Sequence, residues 1–85
     1  MLKPLTESVV NQKHLDYVRK VARELGGRIY SDVPNVKIKF YGKEEVPERL
    51  IQLMQGLFPA GSFEIYTARV GNARRIPAVR IRRVV

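Results

Sequence analysis

A chain of 85 residues has room for one compact domain and not for two. Sixteen Lys and Arg stand against eight Asp and Glu, a formal net charge of +8, while 45% of the residues are hydrophobic. The absence of cysteine excludes disulfides and thiolate zinc sites, and no apolar run is long enough for a membrane span.

Residues Leu5 to Val10 are mildly β-prone and form the expected first strand. A helix is expected from about Asn11 to Leu25, because Leu15, Val18, Ala22 and Leu25 fall on one face. Gly26-Gly27 just past the last periodic residue is the expected stop. A strand region follows, interrupted by a turn or bulge at Ser31-Asp32-Val33-Pro34-Asn35. Its firm part runs from Val36 to Tyr41, with Val36, Ile38 and Phe40 on one side and Lys37, Lys39 and Tyr41 on the other.

Gly42 breaks that strand, and a second helix is expected from about Glu45 to Leu57, with Pro47 in its first turn. Val46, Leu50, Leu53 and Leu57 make its expected buried stripe. Ile51, Met54 and Phe58 widen the apolar surface and are either further core or a dimer contact. A thin core favours the dimer. A β-hairpin closes the chain, with arms 62–70 and 76–84 around the loop 71–75. The expected fold class is α+β: a β-α-β-α-β-β two-layer sandwich ending in a basic C-terminal hairpin arm, all as one domain.

The charge is unevenly placed. The hairpin carries Arg69, Arg74, Arg75, Arg80, Arg82 and Arg83, and no acidic residue follows Glu64. A two-stranded arm of this kind can lie along a groove with its guanidinium groups on phosphates, whose oxygens suit the planar donor fork of arginine. The competing reading is a charged edge strand that resists aggregation. Lys37, Lys39 and Lys43 with Tyr41 form a second basic patch, where Tyr41 either stacks on an exposed base or packs on the sheet. Lys13 and His14 open the first helix, where free N–H groups favour an anion.

A pI near 10.3 with clustered cations is the footprint of a nucleic-acid binder. A heat-adapted, ion-paired surface is the bland alternative, and an acidic membrane is disfavoured because no basic amphipathic helix with a broad apolar face stands out. The lone His14 has no positioned partner for general-base catalysis or metal binding, and no Gly-rich phosphate loop or site-spaced carboxylate pair is present. The expectation is a non-enzymatic binder of DNA or RNA, with no cofactor, metal, small-molecule substrate or membrane partner. The cytoplasm is its default location, since the first residues lack the apolar block of a signal peptide.

Several segments together resemble the Alba family of small archaeal chromatin and RNA-binding proteins. Gln12-Lys13-His14-Leu15-Asp16-Tyr17-Val18 is similar to the family's Lys-Lys/Arg-Pro-x-x-x-Tyr-Val start of the first helix, with His14 in place of the usual proline. The segment 37–43 resembles its strand ending in a basic-Gly-basic turn. Phe63-Glu64-Ile65 and Ala68-Arg69-Val70-Gly71 resemble its third strand, and Ile76 to Arg83 its basic last strand. The resemblance implies a homodimer whose two arms reach along the minor groove with little sequence specificity. The residues expected at the nucleic acid, on the chromosome or on RNA, are Lys13, Lys37, Lys39, Tyr41, Lys43, Arg69, Arg74, Arg75, Arg80 and Arg82. The same element order occurs in the C-terminal domain of bacterial translation initiation factor three, so a ribosomal or ribonucleoprotein subunit is the alternative, and a protein–protein adaptor a second one.

Overall fold

The computed structural model describes residues 10–32, 35–72 and 74–82. Helix α1 spans Gln12–Glu24, and its start is set by Asn11, whose side-chain carbonyl accepts from the N–H groups of Lys13 and His14 at 2.9 and 3.1 Å. Its end is a Schellman turn. Gly26 adopts φ +94°, its N–H reaches the carbonyl of Arg23, and the Gly27 N–H reaches that of Ala22 at 2.7 Å. Leu15, Val18, Val21 and Ala22 form the buried face.

Strands β1 (Arg28–Asp32) and β2 (Asn35–Lys39) come next, and they correct one expectation. The segment read as one strand broken by a turn or bulge is two antiparallel strands, with Arg28 opposite Lys39 and Asp32 opposite Asn35. The alternation expected in β2 is present, since Val36, Ile38 and the following Phe40 are completely buried.

Helix α2 covers Glu48–Leu57. Pro47 is its N-cap rather than a first-turn residue, with ψ 133° and its carbonyl accepting from Leu50 and Ile51. The stripe it buries also differs from the expected one. Leu50 and Met54 are fully buried and Phe58 is 5% exposed, whereas Leu53 and Leu57 only flank the core.

Strands β3 (Phe63–Val70) and β4 (Arg74–Arg82) form the C-terminal hairpin. The sheet is antiparallel throughout, in the order β1-β2-β4-β3. Both helices contribute to one core with Val36, Ile38, Val79 and Ile81 from the inner face of the sheet. Phe58 meets Phe63 edge to face at 6.3 Å, which ties the end of α2 to the edge strand. The described residues thus form a small α+β domain, two helices on a four-stranded antiparallel sheet, in the order α-β-β-α-β-β. The expected first strand lies outside the described residues except for Val10, which is buried but belongs to no regular element. Residues 83 and 84 of the last strand also lie outside them.

Candidate nucleic-acid interface

Because side chains alternate along a strand, the register fixes what the outer sheet face carries. One row across the sheet reads Tyr30, Lys37, Arg80, Glu64, and the next reads Arg28, Lys39, Ala78, Tyr66. Arg82 continues this face beside Asn35. Aromatic rings and cations interleave here. The Arg28 guanidinium stands 5.3 Å from the Tyr41 ring centroid, the Lys39 ammonium 4.8 Å from that of Tyr30, and the Arg80 guanidinium 5.1 Å from that of Tyr66. The hydroxyls of Tyr30 and Tyr41 are hydrogen-bonded at 3.1 Å. That bond holds Tyr30 below the ordinary tyrosine value, helped by Arg28 and Lys39, and pushes Tyr41 above it.

Arg80 also faces an anion across the ladder. Its guanidinium lies 4.0 Å from the Glu64 carboxylate, and its Nε is buried without a hydrogen-bond partner.

The hairpin supplies a separate group of cations. Strand β4 pairs with β2 only from Ala78 to Arg82, whereas its residues from Arg74 to Pro77 have β3 as their strand partner. Pro77 explains where the ladder stops. Its carbonyl accepts from the Phe40 N–H at 3.0 Å, but proline has no N–H to return. Beyond it Arg69 and Arg75 stand directly opposite each other, and Arg74 is paired with Val70; all three arginines are exposed. Arg69 donates to the Asn72 carbonyl at 3.1 Å. Like charges directly opposite on a ladder are destabilising, a cost that a bound anion removes.

The expected residues therefore do not share one surface. Lys37, Lys39, Arg80 and Arg82 occupy the outer sheet face, and Tyr41 joins them through Tyr30. Arg69, Arg74 and Arg75 sit near the hairpin turn. Lys13 is exposed on α1, in the layer on the other side of the sheet, and the N–H groups expected to receive an anion there are taken by Asn11. Lys43 is exposed and lies against the turn that ends α1, where a Cβ on Gly26 would come within 3.3 Å of its Cε. That places a cation near the negative end of the helix dipole.

Of the three residues expected at a dimer contact, Met54 and Phe58 belong to the core of the single chain, so they offer a partner almost no surface. Ile51 keeps some, in a shallow groove of about 270 Å³ that it shares with Ile65, Pro77, Glu44 and Glu45.

Sequence reasoning missed Arg28, Tyr30 and Tyr66. The signal for the first two was the alternation Arg28-Ile29-Tyr30, which marks a strand of its own once the segment is divided at 33–34. Among the described residues no helix is long and apolar enough to cross a membrane, and no three His, Cys, Asp or Glu are grouped to hold a metal. Comparison with protein-family models, with curated proteins and with solved structures gives no match.

Proposed function

We propose that this chain is a non-enzymatic, largely sequence-independent nucleic-acid-binding protein of Alba-like type, acting as a dimer. The observation that carries the reading is the group of exposed arginines on the hairpin, Arg69 and Arg75 at opposed register positions and Arg74 next to them, where β3 is the only strand partner of β4 among the described residues. Among the described residues none of these three arginines has a carboxylate partner, and a polyphosphate backbone would supply the counter-charge. The reading assigns these arginines to phosphates, where contacts supply affinity and register but little base information. The net charge of +8 adds long-range attraction to any polyanion.

The Alba-like assignment rests on the sequence segments and the basic hairpin, and the separate β1–β2 hairpin departs from the family's element order. In this reading the dimer contact uses the groove of Ile51 and Ile65 rather than Met54 or Phe58.

The test is fluorescence anisotropy with generic duplex DNA, titrated across salt. Replacing Arg74 and Arg75 together by alanine removes two phosphate contacts, so the log–log salt slope falls by about 1.8. Unchanged affinity in that double variant takes the hairpin out of the interface. No duplex binding beside tight, salt-tolerant binding to one folded RNA replaces the architectural reading with the ribonucleoprotein one.

A further inference from the structure

A depression of about 540 Å³ opens between the end of α1 and the start of β1, lined by Arg19, Arg23, Gly27, Arg28 and Ile29. Three of these five residues are arginines. Among the described residues only Arg19 of the three has a carboxylate partner, Asp16 at 3.2 Å. The volume lies within the range of small-ligand sites, and the planar donor fork of arginine suits a phosphate.

Arg28 belongs to two features at once. It lines the depression, and it lies over the ring of Tyr41, whose hydroxyl bonds to Tyr30. Tyr41 is 38% exposed, against 51% for Tyr17 on α1. A basic depression thus runs into a pair of tyrosines at the β1 edge of the sheet, across the sheet from β3. A duplex keeps its bases stacked inside and has no use for exposed rings, whereas a single strand offers a phosphate and an unstacked base one nucleotide apart.

We infer that this edge is a single-strand binding site: a backbone phosphate sits among Arg19, Arg23 and Arg28, and the adjoining base stacks on Tyr41. The inference rests on the proposed nucleic-acid function and adds a ligand form and a second surface to it. The site works independently of the hairpin arginines. Arg28 serves both partners, taking the phosphate from its place over the Tyr41 ring.

The probe is an oligothymidylate of about 12 nucleotides, within the site sizes of known single-strand binders, compared with a duplex of equal length. The chain has four tyrosines and no tryptophan, so intrinsic fluorescence reports on the rings directly. The expected result is quenching by the single strand, retained when Arg74 and Arg75 are replaced. Tyr41→Ala weakens single-strand binding about tenfold, and Tyr41→Phe, which keeps the ring, binds as the parent does. Arg23→Ala, an exposed change, lowers the single-strand salt slope by about 0.7. Duplex binding with no single-strand binding or quenching overturns the inference and leaves the proposed function standing. Equal single-strand affinity in Tyr41→Ala and the parent overturns it as well. No binding to either form at low salt overturns both.

Discussion

Gly27→Ala tests the joint between α1 and the sheet, on which the arginine depression depends. Gly27 needs no unusual backbone angle, and space alone excludes a side chain there. A Cβ would stand 2.9 Å from Ile38 Cγ2, 2.9 Å from Phe40 Cε1 and 3.0 Å from the Ala22 carbonyl oxygen. Ordinary carbon contacts are about 3.5–4.0 Å, so the new methyl overlaps three neighbours at once. Neither Ile38 nor Phe40 has any exposed surface into which to retreat, and the Ala22 carbonyl is held by the Gly27 N–H itself. Overpacking of this kind costs about 1–3 kcal/mol. For a domain of this size that is a fall in Tm of roughly 5–20 °C. Gly56→Ala is the companion change of opposite sign. Gly56 lies within α2 with nothing within 4 Å of an added Cβ, so alanine gains about 0.5–1 kcal/mol from the unfolded chain's lost freedom. Urea denaturation followed by far-ultraviolet circular dichroism measures both. A Gly27→Ala variant as stable as the parent refutes the close approach of the α1 terminus to β2. Equal losses in both variants refute the local argument altogether.

Met54→Ala removes a fully buried side chain and costs about 2–5 kcal/mol, read by denaturation, whereas Ile51→Ala at its partly buried position costs less. If Met54 were instead an interface residue, light scattering of the variant would show a changed oligomeric state with little change in monomer stability. Raising the pH ionises Tyr30 before an ordinary tyrosine and Tyr41 after it, so absorbance titration of phenolate shows an early and a late step. The depressed Tyr30 favours the folded chain as pH rises toward 10.0, and the elevated Tyr41 disfavours it above that. Tyr30→Phe abolishes the early step and returns Tyr41 toward the ordinary value; an unchanged titration refutes the hydrogen-bonded pair.

The sequence by itself determined whatever depends on neighbours a few residues away. The stripe of Leu15, Val18 and Ala22 with Gly26-Gly27 behind it marked α1 and its end, because helix period and glycine's left-handed turn are local properties. Strict alternation marked β2 and its basic outer side, and the Gly71 turn between two β-rich arms marked the hairpin. Three matters were left to the tertiary structure. The apolar face of α2 is wide, taking in Leu50, Ile51, Leu53, Met54 and Leu57, so periodicity did not choose between Leu53 with Leu57 and Met54 with Phe58. Packing against the sheet and α1 chose the second pair. The division of the segment 28–39 into two strands was settled by cross-strand pairing, which is non-local and brings Arg28 and Tyr30 onto the face of Lys37 and Lys39. The distribution of the cations was settled by the layers: the helices take one side of the sheet, so Lys13 stands away from the residues it was grouped with in sequence. Charge can be counted along a chain, but which charges share a surface is decided by the pairing register and by which face the core occupies.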